Sequence, residues 1–277
     1  MSYLENNKSP VTHIDRIVKT VSREVSPEGH LPDYIYRSWQ RCIDKYNILP
    51  DAPFIPHVVD RDVLLDHQEA FCDRHQLIRR NLDSLFNIIG DNGYTLLLTD
   101  NKGITLDCRY ERSAEDFLKQ KGLYTGSNWS ETIAATNGIG TCLAEEKSIV
   151  VDRNEHFFPI MTGMTCIVSP IFDGFGKMVA ALNASILKHA PNGQNRLVAK
   201  LIEQYAKKFE LLFYMEQFKE HWLLIFSQCE NISDTISTGV LALDDDGKII
   251  SGNMNASKLL CKTKNLDLGK SFLDEVF

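Results

Sequence analysis

The chain has 277 residues, 43% of them apolar, which is enough to bury the core of one large domain or two medium ones. Its net charge of −7 leaves no broad basic footprint for duplex DNA, so no direct DNA contact is expected from this chain. Its apolar runs fall far short of the roughly 20 residues of a membrane span, and MSYLENNKSP lacks the basic head and apolar core of a signal peptide, so a cytoplasmic protein with no membrane contact is expected. Seven cysteines (42, 72, 108, 142, 166, 229 and 261) lie scattered without a C-x-x-C pair, which predicts reduced thiols rather than disulfides or structural zinc.

Residues 1–83 read as an N-terminal helical region. Ile14, Ile17, Val18 and Val21 recur at three- and four-residue spacing, which predicts a helix. A second helix is predicted over Tyr34 to Pro50, YIYRSWQRCIDKYNILP. There Ile35, Trp39, Cys42, Ile43 and Tyr46 share one face, and Arg37, Arg41, Asp44 and Lys45 occupy much of the rest, the pattern of an amphipathic packing helix. Pro50, Pro53 and Pro56 mark a loop behind it. Beyond Val58, apolar residues at Leu64, Leu65, Phe71, Leu77, Ile78, Leu82, Leu85, Phe86 and Ile89 predict one long helix ending at Gly90.

Residues 84–194 read as an α+β domain with an antiparallel sheet flanked by helices. YTLLLTDNKGITLDCRY alternates around an Asp-Asn-Lys-Gly turn and predicts a hairpin. Further strands are predicted at Ser148 to Asp152, Cys166 to Phe172 and Lys177 to Ser185, the last two joined by Asp173-Gly174-Phe175-Gly176. Residues 195–231 hold no Gly or Pro, and Leu201, Tyr205, Phe209, Leu212, Met215, Phe218, Trp222, Ile225 and Cys229 predict one uninterrupted linker helix. A stripe so long calls for a partner, with a homodimer favoured over packing on the chain's own sheet. Residues 232–277 read as strand, Asp-Asp-Gly turn, strand and helix.

The candidate site lies in NWSETIAATNGIGTC, Asn128 to Cys142. An Asn-Gly step followed by a second Gly marks backbone that is sharply bent or closely approached. Asn137 is placed to cap a helix starting at Gly138, and an incomplete cap would leave N–H groups of Gly138, Ile139, Thr141 or Cys142 for a ligand oxygen. Trp129, Phe157 and Phe158 would form apolar walls, Glu131 and His156 polar ends, and Thr165 with Cys166 an inward strand edge, together enclosing a metabolite of a few carbons. Each of these residue types is also common as plain core.

Other chemistries have weaker support. Ser130, Cys142, His156 and Cys166 include nucleophile and base types, yet no hydrolase signature or G-x-S-x-G elbow occurs, so no enzyme is expected. His156, Cys108, Cys142, Cys166 and Asp152 lack the tight spacing of metal sites, so no metal or cofactor is expected. A thiol-based redox sensor at Cys142 or Cys166 remains an alternative, since a thiol at a helix start has a lowered pKa. No P-loop is present for ATP hydrolysis.

Three runs carry a resemblance: RSWQRC, Arg37 to Cys42; TNGIGTCLAE, Thr136 to Glu145; and EHFFPIMTGMTCIVSPIFD, Glu155 to Asp173. They resemble the sensor half of sigma-54-dependent transcriptional activators of the acetoin and dihydroxyacetone catabolism type. The resemblance implies a GAF sensor domain over 84–194 and the start of a PAS domain over 232–277. It implies binding of a small hydroxyketone, diol or aldehyde, with relay to ATPase and DNA-binding domains outside this chain. The likeness to dihydroxyacetone regulators implies an alternative, docking of a kinase subunit as protein partner. About 45 residues remain for a PAS domain that usually fills roughly 100, so a sensory fragment is expected.

Overall fold

The computed structural model describes residues 10–24, 31–69, 71, 75–187, 190–191, 193–227 and 238–260. Helix α1 (Pro10–Val21) comes first, with Ile17 and His13 buried. Helix α2 (Asp33–Gln40) buries Ile35, Ser38 and Trp39, then widens into a π turn over Arg41–Lys45 that buries Cys42. The turn ends at Tyr46, and Asn47 adopts φ 55°, so the chain leaves the helix ahead of the loop marked by Pro50.

The single long helix expected after Val58 is instead two. Helix α3 (Arg61–Glu69) buries none of its residues, and α4 (His75–Ile89) buries Ile78, Leu82, Leu85 and Ile89, with Phe71 in a turn between them. Leu65 and Leu77 are nearly half exposed, so the apolar spacing that joined the two helices on paper does not correspond to one buried stripe.

Strands β1 (Tyr94–Asp100) and β2 (Thr105–Arg109) form the predicted hairpin. The Asp100 carboxylate builds its turn by accepting the N–H groups of Lys102 and Ile104, each at 2.9 Å, and Gly103 takes φ 85°. Helices α5 (Glu115–Gln120), α6 (Glu131–Ala134) and α7 (Gly138–Glu145) follow, then β3 (Ile149–Asp152), β4 (Thr165–Phe172) and β5 (Met178–Ile186). Asp173 repeats the turn device between β4 and β5, accepting from the N–H groups of Phe175 and Lys177.

The five strands make one antiparallel sheet in the order β2-β1-β5-β4-β3. Successive strand side chains point to opposite faces, and this sheet is buried on both. One face carries Leu96, Leu98, Ile167, Leu182 and Ala184 against α4 and α8 (Gln194–Gln217). The other carries Leu97, Val168, Cys166 and Ala181 against α2, α7 and the loops between them. Helix α8 spends its stripe of Val198, Ile202, Ala206, Phe209 and Phe213 on the sheet.

The uninterrupted helix expected over 195–231 ends at Gln217. Phe218 leaves helical geometry at φ −114° and ψ 26°, and Trp222–Phe226 forms strand β6, paired residue for residue with β7 (Gly239–Leu243). A run such as WLLIF satisfies either period over five residues, and the ladder to β7 decides for the strand. Strand β8 (Ile249–Gly252) completes a three-stranded sheet, with Asp244 capping the β7–β8 turn, before α9 (Met254–Leu260). The expected Cys229 at the end of the linker helix and everything past Leu260 lie outside the described residues.

Candidate functional site

Asn137 is the N-cap of α7, as its sequence context predicts. Its Oδ1 accepts the Gly140 N–H at 3.0 Å, and its Nδ2 donates to the carbonyls of Trp129 and Ala135, both at 2.9 Å. The Gly138 N–H turns to the Cys166 sulfur, and the Thr141 N–H donates to Asn137 O. The N–H groups of Gly138, Gly140 and Thr141 are therefore satisfied from inside the protein.

The glycines serve close approach rather than a left-handed bend. A Cβ on Gly138 would sit 2.4 Å from Cys166 Cβ, and one on Gly140 would sit 2.6 Å from Trp129 O. The bend falls on Ala135, at φ 50° and ψ −152°, a region that costs a non-glycine residue about 1–3 kcal/mol.

Beneath this lip a chain of polar groups crosses the inner face of the sheet. The antiparallel register sets Cys166 of β4 opposite Ser185 of β5. His156 Nδ1 donates to Arg153 O at 3.0 Å, which leaves Nε2 as the acceptor for the Cys166 thiol at 3.4 Å. Ser185 Oγ lies 3.3 Å from that sulfur and accepts the Asn183 Nδ2 at 2.9 Å. Burial lowers His156 to about 4 and raises Cys166 to about 11, so the pair is neutral imidazole and thiol. At the head of the chain, Asn183 Oδ1 is buried and has no hydrogen-bond partner. His13 of α1 ties the segment down by donating Nε2 to the carbonyls of His156 and Phe157 at 3.0 and 3.3 Å.

Phe54 from the N-terminal region joins Trp129, Phe158 and Phe157 into one aromatic cluster. Phe54 stacks on Trp129 at 6.0 Å and meets Phe158 at 5.5 Å, and Phe158 meets Phe157 edge-on at 5.6 Å. Trp129 Nε1 is buried without a partner. Behind this cluster a cavity of about 30 Å³ touches Phe54, Ile160, Met161, Met164 and Leu187.

Glu131 and Thr165 are turned elsewhere. Glu131 accepts Arg41 Nε and Nη2 at 2.8 Å each and the Ser38 hydroxyl at 2.6 Å. Arg41 Nη1 reaches on to Glu145 at 2.7 Å, and Arg37 pairs with Glu145 as well. Ser38 lies within 3.2 Å of the Thr136 and Thr141 hydroxyls, so Thr141 faces α2. Thr165 bonds Asp152 and shares its face with Ile167, because neighbours along a strand point to opposite sides. Ile139 and Cys142 are plain core. Burial pushes the Cys142 thiol well up, and it sits in the middle of α7, so the low pKa expected of a helix start is absent.

Asn183, Ser185 and Phe54 were not singled out from sequence, and Ser38, Trp39 and Arg41 were read there as parts of the RSWQRC helix, not of the site. Asn183 and Ser185, two polar residues at alternate positions of an apolar strand, carried a legible signal. The rest depend on contacts across long separations. Among the described residues, no group of three His, Cys, Asp or Glu side chains is placed to hold a metal ion, and no helix is long and apolar enough to cross a membrane.

The family model described as MimR, N-terminal domain, matches residues 23–186. The acetoin catabolism regulatory protein of Cupriavidus necator is 30% identical over 256 residues, covering 90% of this chain and 38% of its own length. The signal-transduction and transcriptional-control protein of Clostridium beijerinckii is 27% identical over 237 residues, 82% of this chain and 35% of its own. The propane 2-monooxygenase operon transcriptional activator MimR of Mycolicibacterium smegmatis is 30% identical over 140 residues, 50% of this chain and 22% of its own. The chain thus spans well under half the length of these curated relatives. Among solved structures, the E. coli DhaR(N)-DhaL complex superposes with a TM-score of 0.54 at 14% identity, over 88% of this chain and 82% of that one, a likeness of fold.

Proposed function

The chain belongs to the MimR N-terminal domain family, and from that footing we propose that it is the sensory region of a bacterial transcriptional activator, binding a small hydroxyketone, diol or aldehyde on the inner face of its five-stranded sheet. One observation carries the reading. Asn183 Oδ1, an acceptor, and Trp129 Nε1, a donor, are buried and unpaired within an apolar shell. Each such group costs about 1–3 kcal/mol. A molecule of a few carbons with a hydroxyl and a carbonyl or second hydroxyl carries a donor for the first and an acceptor for the second. The names of the relatives, which regulate acetoin catabolism and a propane monooxygenase operon, point to small oxygenated metabolites.

In this reading residues 84–194 are a GAF sensor, α8 is the connector and the three-stranded sheet opens a PAS domain. Entry of the ligand requires the Phe54 loop or the α6–α7 lip to yield, and the arrangement the ligand prefers is passed along α8 to ATPase and DNA-binding domains beyond this chain. The ligand must bind the two arrangements with different affinity for any signal to pass. A cytoplasmic homodimer is part of the proposal, with Leu197 and Met215 the exposed apolar side chains that α8 leaves for it.

A thermal-shift titration with acetoin, butanediol, dihydroxyacetone, glycerol and small aldehydes tests the site. Ligand at a hundred times its dissociation constant adds about 2.7 kcal/mol. A saturable rise that Trp129→Phe and Asn183→Leu each abolish is expected. A flat response to every probe moves the assignment to a second reading, a partner protein. That reading is favoured by Ile160, which stands exposed in the lining of the small cavity, and by the similar E. coli structure being a complex with DhaL.

A further inference from the structure

A second cavity, of about 460 Å³, lies where the β4–β5 turn, the end of α8 and the β8–α9 corner meet. Its size falls in the roughly 300–1,000 Å³ range of small-molecule sites. Of its lining residues Phe172 also packs against the cluster on the inner face of the five-stranded sheet, but nothing in the assignment of this cavity rests on the ligand proposed there.

The cavity wall is chemically mixed. Phe175, Ile250 and Met254 are apolar, with Phe175 69% and Met254 45% exposed, and the Phe172 ring lies 6.0 Å from Lys207 Nζ. Lys207 and Glu210 stand side by side on α8, Nζ lying 2.9 and 2.7 Å from the two carboxylate oxygens. Both side chains are mostly buried, at 24% and 15% exposure. The backbone N–H of Phe172 holds Glu210 in place at 3.2 Å.

Neither charge is saturated by the other. An ammonium has three donors, and both short contacts of Lys207 go to one carboxylate. Glu210 Oε2 accepts from Lys207, and burial raises the pKa of the carboxyl despite Lys207, the Phe172 N–H and the nearby charge of Lys258. A cation and an anion fixed together beside apolar side chains are complementary to a head group that carries both charges in the reverse order.

We propose that this junction cavity binds a free α-amino acid with a large apolar side chain, its carboxylate on Lys207, its ammonium on Glu210 and its side chain against Phe172 and Phe175. The position gives the occupant a consequence. Gly174 in the cavity wall accepts the Ser251 hydroxyl at 2.7 Å and donates its N–H to Gln217 at 3.0 Å, so here the β4–β5 turn is joined to both α8 and the three-stranded sheet. A bound amino acid touches the same three elements and biases how they sit together.

Isothermal titration of the chain with L-phenylalanine tests this, with 3-phenylpropionate and 2-phenylethylamine as probes that each lack one charge. Saturable binding of L-phenylalanine is expected, with each single-charge probe weaker by about tenfold or more. Lys207→Met, Glu210→Gln and Phe175→Ala should each weaken it by a similar factor, and Trp129→Phe should not change it. Phe175 is exposed, so Phe175→Ala keeps the fold, and a circular dichroism melt checks the fold of the Lys207 and Glu210 variants, which break a mostly buried pair. Absence of saturable binding, equal binding of all three probes, or binding indifferent to both Lys207→Met and Phe175→Ala overturns the proposal.

Discussion

Arg41 grips Glu131 with two parallel hydrogen bonds, Nε to Oε2 and Nη2 to Oε1, both at 2.8 Å, and the carboxylate they hold is only 3% exposed. The π turn after α2 aims the guanidinium this way, and its remaining arm reaches Glu145 at the end of α7. The N-terminal region is thereby fastened to both helices of the lip. Removing one partner of a buried pair leaves the other charge uncompensated, at about 3–5 kcal/mol.

Arg41→Met should therefore cost about 3 kcal/mol in urea unfolding, the low end because Arg41 is partly exposed. Arg41→Lys should lose about 1–2 kcal/mol by giving up the planar two-point grip. Arg37→Ala, at a side chain 46% exposed, should cost less than about 1 kcal/mol. An Arg41→Met variant within about 1 kcal/mol of the parent would show that the network does not anchor the N-terminal region.

Gly138→Ala should destabilise by about 1–3 kcal/mol or more, because its Cβ would meet Cys166 Cβ at 2.4 Å and Val168 Cγ2 at 2.8 Å, both on a central strand that cannot retreat. Gly163→Ala is the control. Nothing lies within 4 Å of the Cβ it would gain, so a change below about 1 kcal/mol is expected. Equal melting temperatures for the two variants would refute the close-packing account of the Asn-Gly-Ile-Gly run.

These two features differ in how far sequence reveals them. The cap at Asn137 and the turns at Asp100, Asp173 and Asp244 are local: a short polar side chain reaches N–H groups two to four residues ahead, so the residues that make the structure are adjacent in the text. The misread helices share one cause. Spacing at three and four residues over 58–90 and 195–231 is compatible with one helix, and only the three-dimensional structure, with α3 ending at Glu69 and buried nowhere and the ladder from Trp222 to Leu243, shows where each helix stops. Glu131 looked free because its partner Arg41 is 90 residues away, and Asn183 was overlooked because its importance comes from what its oxygen lacks.

Acid should weaken the fold in two stages. His156 is held neutral down to about 4 by burial, whereas an unfolded imidazole takes a proton near 6.5. Between these values the unfolded chain binds more protons, so the contribution is complete above pH 6.5 and is lost as the pH falls to 4. His13, also lowered by burial, adds to the same window. Glu145 is desolvated, yet its hydrogen bonds to Arg37 and Arg41 bring it down to about 2, so its contribution is present above pH 4.5 and lost on the way to 2. Urea midpoints measured from pH 8 to 4 should fall below 6.5, and His156→Gln should flatten that slope. Parallel curves for parent and variant would remove His156 from the explanation.

The thiols provide the sharpest contrast with a redox sensor. Burial raises Cys42 to about 12 and Cys166 to about 11, and raises Cys142 further still, while Cys108, half-buried, is raised as well. Alkylation proceeds through the thiolate, so each is slowed twice, by access and by ionisation. Mass-resolved iodoacetamide labelling at pH 8 should leave the peptides of Cys42, Cys142 and Cys166 unmodified in the native chain and label them fully in urea. If peroxide or iodoacetamide modifies Cys166 in the folded chain faster than global unfolding allows, the His156–Cys166 contact must open on its own. The thiol would then have to be reconsidered as the sensing group in place of the Asn183 and Trp129 pair.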